Sequence, residues 1–250
     1  MDLEEKLLVK GSWGPREESA RQVAERWLAF ARRLAALEPK LLGRWGWAED
    51  SMEDFRELSL DVDTLCEYIE EAGTQRSETP PYERIDVDLG FSFSLWNGYL
   101  PDGQDVELWV TAGLYTQVAG LSNTVHLDLS VESEDDRRRW LELAEEALLA
   151  LVEAWEPDHG FVGTHPMLDA QDRGKREPWV GAVTYLSPAR GALVGSGLPG
   201  RVRETRDGGV VVSLLESDAV LPDAEQVVAL AAQLRSMGAL APTPTTRPQL

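Results

Sequence analysis

Apolar and polar residues alternate at every second position in three stretches between residues 85 and 131, and the rest of the chain reads as a cover for them. In the first stretch Ile85, Val87, Leu89, Phe91, Phe93 and Leu95 share one phase, and Asp86, Asp88, Ser92 and Ser94 share the other. The second sets Val106, Leu108 and Val110 against Glu107 and Trp109. The third sets Val125, Leu127, Leu129 and Val131 against His126, Asp128 and Ser130. A period of two marks a strand with one buried face. Trp96-Asn97-Gly98 and Pro101-Asp102-Gly103 lie between the first two stretches and supply a preset bend and a positive φ. A three-stranded antiparallel meander is expected, with one hydrophobic face that needs a cover.

The covering helices show as a change of period. Residues 1 to 15 read as a short lead ending in Gly14-Pro15. From Pro15 or Arg16 to Leu42, residues Val23, Trp27, Phe30, Ala31, Leu34 and Leu37 recur at threes and fours, and Pro39 marks a stop and a fresh turn. Arg44-Trp45-Gly46-Trp47 reads as a loop whose two large aromatics either plug the rim of a core or anchor a partner. A second helix spans 58 to 73, capped by Ser59 or Asp61 and closed by Gly73. The strongest runs from 134 to 154, with Ser133 before it and acids in its first turn.

The second half is less regular. Strands are expected at 159–163, 179–186, 202–204 and 210–215, the last two joined through Asp207-Gly208-Gly209 as a hairpin. Residues 166–168 read as a helical turn, 189–200 as a Gly-rich linker, and 223–236 as a final helix capped by Asp223. The fold class is therefore α+β: an antiparallel sheet, made of the 85–131 meander and C-terminal hairpin strands, covered by amphipathic helices. Residues 1–241 read as a single domain. Both halves end in strands followed by a helix, which suggests two similar lobes, about 1–157 and 158–241, without any residue-level repeat. A Pro- and Thr-rich tail over 242–250 is expected to be disordered.

Charge changes the picture more than composition does. The chain carries −20, and residues 51–150 hold 23 Asp or Glu against 6 Lys or Arg. Such a field repels nucleic acid and anionic membranes and attracts basic surfaces. Asp61, Asp63, Glu67, Glu70 and Glu71 share the outer face of the second helix, preceded by Glu53, Asp54 and Glu57. The single cysteine, Cys66, excludes an intrachain disulfide and sits in the phase of Leu65 and Ile69, as a core thiol would. The N-terminal MDLEEKLLVKGSWG has no basic segment followed by an apolar run, and no stretch approaches the ~20 apolar residues of a membrane span. A soluble, cytoplasmic protein is expected.

Catalytic chemistry is hard to find in these residues. The three histidines have no second ligand at zinc spacing, so no metal and no cofactor is expected. Gly195, Gly197 and Gly200 do not open a helix, and there is neither a phosphate loop nor a nucleophile elbow. Asp61 with Asp63, or Asp86 with Asp88, could form a carboxylate pair, although each belongs to an acidic region where a solvated face is the commoner reading. Basic patches with interleaved aromatics are missing, which argues against nucleic-acid binding.

Several segments together resemble the immunity protein 52 family of bacterial polymorphic toxin systems. They are LGFSFSLWNG (89–98), LSNTVHLDL (121–129), Ala35 to Pro39 with Trp45, LVEAWEPDHGFV (151–162), WVGAVTYLS (179–187) and RVRETRDGGVVVSL (201–214). The most specific piece is Leu95-Trp96-Asn97-Gly98, which fits the family's Trp-x-Gly motif. The resemblance implies an α+β antitoxin that silences a cognate toxin, typically a restriction-endonuclease-like nuclease. It carries no catalytic residues, and implies that Trp96, Asn97 and Gly98 serve the fold. Together with the charge, this points to occlusion of a basic toxin site by Glu53, Asp54, Asp61, Asp63, Glu67, Glu70 and Glu71, with Trp45 and Trp47 as aromatic anchors. The competing readings are a small acidic hydrolase built on a pair such as Asp86 and Asp88, and a general DNA mimic that inhibits many nucleases.

Overall fold

The computed structural model describes residues 5–47, 54–75, 86–98, 105–116, 121–131, 133–174, 176–215 and 220–243. Its strands are β1 (Glu5–Trp13), β2 (Gly46–Trp47), β3 (Arg56–Glu57), β4 (Phe91–Trp96), β5 (Val106–Ala112), β6 (Asn123–Val131), β7 (His159–Thr164), β8 (Val183–Leu186), β9 (Arg201–Glu204) and β10 (Val210–Ser213). The helices are α1 (Ala20–Leu37), α2 (Pro39–Leu42), α3 (Val62–Ala72), α4 (Glu134–Trp155), α5 (His165–Asp169), α6 (Pro188–Gly191) and α7 (Ala224–Ser236). The strands form one ten-stranded sheet in the order β3-β2-β4-β5-β6-β1-β7-β8-β10-β9, and the fold is α+β. By contacts the described residues divide into two compact units, one within 13–127 and the other made of 5–12 with 128–243. These boundaries fall within β1 and β6, whereas the sequence pattern places a lobe boundary at 157 and 158.

Two expectations about the first unit need correction. The first alternating stretch does not begin as a strand: Val87–Leu89 is a single 3-10 turn, and Ile85 lies outside the described residues. Gly90 is the cause. It adopts φ 66°, and a Cβ there would come within 2.4 Å of the Ala112 carbonyl, so extension starts only at Phe91. The first helix likewise begins later than expected, at Ala20, because Ser19 forms a capping box with Gln22. It ends at Leu37 before Glu38, which is extended at φ −147°, and α2 follows as a separate turn.

Within residues 13–127 the core lies between one sheet face and helices α1 and α3. Trp27, Phe30 and Leu34 of α1 and Leu65 and Ile69 of α3 are buried. Trp27 stands edge-on to Trp45 with ring centroids 5.4 Å apart. Register pairs Phe93 with Val110 and Leu95 with Leu108, so these side chains form the buried face.

The unit containing residues 128–243 has helices on both sheet faces. The expected lead is wrong here: Glu5–Trp13 is a strand, antiparallel to β7 with Val9 opposite Val162. Leu7, Leu8 and Val9 are consecutive and all buried, because both sides of β1 are covered. On one side α4 lies close. A Cβ on Gly11 would come within 2.3 Å of the Leu151 side chain, and one on Gly160 within 2.8 Å of Leu148, so these glycines set the helix–sheet approach. On the other side Leu186 and Val212 pack with Val227, Leu230 and Leu234 of α7. Residues 179–182 precede rather than join β8, and the expected Gly-rich linker opens with α6. Pro242 and Thr243 are described and Thr243 is buried, with its N–H donating to the Arg176 carbonyl at 3.0 Å; residues 244–250 lie outside the description.

Candidate functional site

The acidic residues singled out by the sequence are brought together mainly by α3. Leu65 and Ile69 turn inward, which leaves Glu67, Glu70 and Glu71 exposed on the opposite side. Tyr68 secures the packed side of the helix. Its hydroxyl donates to the Ser94 carbonyl at 3.1 Å, its ring packs edge-on to Phe93, and burial pushes its pKa up to about 12. Asp61 is the N-cap: its carboxylate accepts from Ser59 Oγ at 2.6 Å and from the Thr64 N–H at 2.9 Å. These bonds to Ser59 and Thr64 lower its pKa to about 2. Asp63 pairs with Arg21 of α1, so it ties two helices together. Glu67, Glu70 and Glu71 thus remain as the outward carboxylates of α3. Asp54 is exposed just before β3, and Glu53 lies outside the described residues.

The cysteine differs from expectation. Cys66 is half-exposed rather than buried, with its thiol 3.8 Å from a Glu70 oxygen. Desolvation and the Glu70 charge raise its pKa, so it has little thiolate character.

The two proposed aromatic anchors have different fates. Trp45 is 0% exposed, and its indole N–H donates to the Leu42 carbonyl at 3.0 Å. It is a core residue and cannot touch a partner. Trp47 is half-buried and lies against Tyr68 on the packed side of α3, ring centroids 4.8 Å apart.

Trp96, Asn97 and Gly98 form a structural corner. Asn97 is buried; its side-chain amide donates to the Leu41 carbonyl at 3.2 Å and its side-chain oxygen accepts from the Val106 N–H at 3.1 Å. Gly98 sits at φ 81°, where a Cβ would approach the Phe55 ring to 3.1 Å. Trp96 packs edge-on to that same ring at 5.5 Å.

A second buried amide carries no signal of its role in the sequence. Asn123 donates to the carbonyls of Gly14 and Leu114 and accepts from the Leu114 N–H, all at 2.8–2.9 Å. It knits the start of β6 to the loops that follow β1 and β5.

The pair Asp86 and Asp88 does not project from a strand. Both flank Val87 in the 3-10 turn, and the Asp88 carbonyl accepts from the N–H groups of Tyr115 and Thr116. A cleft of about 400 Å³ in the other unit is lined by Arg137, Arg138, Thr164, Met167 and Leu221 among others, and includes neither aspartate. No group of three or more potential metal ligands exists among the described residues. No helix among them is long and apolar enough to cross a membrane.

The sheet face opposite α1 and α3 carries a further feature. Trp109, in the polar phase of β5, is 46% exposed and stacks on His126 with ring centroids 6.2 Å apart.

Comparison with known proteins places this architecture. A solved structure of the Pseudomonas aeruginosa T6SS protein PA0821 has the same fold, with a TM-score of 0.52 and 16% identity, covering 93% of this chain and 73% of that one. No curated protein matches the chain. The family model for Immunity protein 52 matches residues 6–242, nearly the whole chain, including the Trp96-Asn97-Gly98 corner. The chain belongs to the Immunity protein 52 family.

Proposed function

We propose that this protein is an antitoxin that neutralises a cognate toxin by binding it, and that the toxin is a nuclease with a basic active site. Family membership supports the binding role. The observation that carries the nuclease assignment is the outward row Glu67, Glu70 and Glu71 on α3, within a region of 23 acids and 6 bases. A nuclease must hold phosphates in a cationic cleft. Carboxylates on a rigid helix compete for that cleft without any chemistry of their own. Opposite charge also speeds encounter, toward ~10⁸ M⁻¹s⁻¹ at low salt. Inhibition is steric and electrostatic, the site of action is the cytoplasm, and neither nucleic acid nor a membrane is bound.

The test is co-expression with the adjacent toxin-like reading frame, scoring survival and co-purification through a salt gradient. Rescue with a stable complex is the expected result for the wild-type chain. The triple variant Glu67→Lys, Glu70→Lys, Glu71→Lys should weaken the complex and flatten its salt dependence. Undiminished binding by that variant would remove α3 from the interface while leaving the antitoxin role standing. Inhibition of many unrelated basic nucleases would instead mark a general DNA mimic.

A further inference from the structure

In the meander of β4, β5 and β6 one face is closed and, among the described residues, the other is open. Phe93, Leu95, Val106, Leu108, Val110, Val125 and Leu127 are buried beneath α1 and α3. The opposite phase holds Ser92, Ser94, Glu107, Thr111 and His126, all half-exposed or exposed, with Trp109 at the middle of the central strand. Ser94 lies directly across from Trp109, and the Ser92 and Thr111 hydroxyls approach to 3.5 Å. A large indole thus stands, 46% exposed, on a floor of short hydroxyl side chains.

We infer that this open sheet face is a docking surface centred on Trp109, and that it takes an arginine presented by the toxin's basic surface. His126 stacks on the indole at an interplanar angle of 20°, which fixes the ring and leaves the rest of it to solvent. Glu107 lies two residues away on the same face, so ring and carboxylate are neighbours. A guanidinium suits that pair: it is planar, weakly hydrated, stacks on an indole and pairs with a carboxylate. Lysine, a strongly hydrated point charge, uses the ring less well. The surrounding serines and threonine are short enough for a partner backbone to approach and can hydrogen-bond as they lose water. Tryptophan and arginine are the residue types that dominate binding energy at interface centres. Because Trp109 is held in a paired strand, little conformational freedom is lost on docking. Charge complementarity supports the choice of occupant, since the chain carries −20 and Glu107 stands on this face.

This inference rests on the antitoxin reading but uses the side of the sheet away from α3, so the two contacts separate experimentally. The probe is the purified product of the adjacent toxin-like reading frame, inactivated for handling and titrated against wild type, Trp109→Ala, Trp109→Phe, Glu107→Gln and the triple α3 variant. Trp109→Ala should weaken binding by about thirtyfold or more, the size of a hot-spot loss, with an unchanged melting temperature. Trp109→Phe should retain most of the affinity, and Glu107→Gln should fall between them. Wild-type binding that survives Trp109→Ala intact overturns the sheet-face assignment alone. Absence of any wild-type binding overturns it together with the antitoxin reading.

Discussion

Buried polar side chains fix the positions of loops and strands at points where the apolar core of this molecule gives no direction. Asn123 fills three hydrogen bonds to main-chain groups of Gly14 and Leu114. Asn123→Ala strips the buried Leu114 N–H of its acceptor and takes one donor each from the Gly14 and Leu114 carbonyls, the latter keeping the Arg16 N–H at 2.8 Å, and should cost about 2–3 kcal/mol in urea-unfolding free energy. His159 sets a pH dependence. It is fully buried, its Nδ1 has no hydrogen-bond partner, and desolvation, helped by the charges of Arg190, Lys10 and Arg173, lowers its pKa from 6.5 to about 3. Between those values the unfolded chain binds a proton that the folded one refuses. Stability from this residue is therefore complete above pH 6.5 and declines as the pH falls toward 3. Urea titrations at pH 7 and 5 should show a loss of about 1–2 kcal/mol in the wild type that His159→Gln largely abolishes. Neither role is legible in sequence. A lone Asn or His gives no signal of burial until its neighbours are known.

Among the elements, helices α4 and α7 were legible to within a residue or so because each carries its own period and stop signals, and α7 its own cap. Strand β1 was not, for an equally local reason: with both faces covered it has no polar phase to alternate with. The short edge strand β9 shows what an exposed element needs instead. All four of its residues are exposed, and Arg201 and Arg203 both reach Glu145 of α4 at 2.8 Å. The carboxylate is nearly buried while the guanidiniums are largely solvated, so the two pairs are screened on one side only. Glu145→Gln should cost about 1 kcal/mol and raise amide exchange in β9, leaving the amides of α4 protected. Equal exchange rates in wild type and variant would mean that backbone pairing with β10 alone holds the edge.

At the scale of the whole molecule, net charge sets how a partner arrives more than how tightly it stays. With −20 on the chain, association with a basic toxin should slow steeply as salt rises, while dissociation changes little. A stopped-flow series across ionic strength reads both rates. A salt-independent association rate would remove the acidic field from the encounter. The expected acidic face proved to be unequal in its members: Asp61 and Asp63 serve the cap of α3 and its link to α1, and three glutamates remain for a partner. Trp45 moved from anchor to core, and Trp109, already visible in the polar phase of its strand, is the exposed indole instead.

The sequence by itself determined the α+β class, the presence of the long helices, the cap of α7, the meander with its buried phase, the uneven charge and the family motif. All are set by residues within a few positions of one another, where period, cap chemistry and turn residues act locally. Tertiary structure alone decided that β1 lies inside the sheet, that Trp45 is enclosed, and that Asn123 bonds to Gly14 across 109 positions. Those outcomes depend on which surfaces meet, and a central strand or a buried indole acquires its neighbours only when distant segments pack.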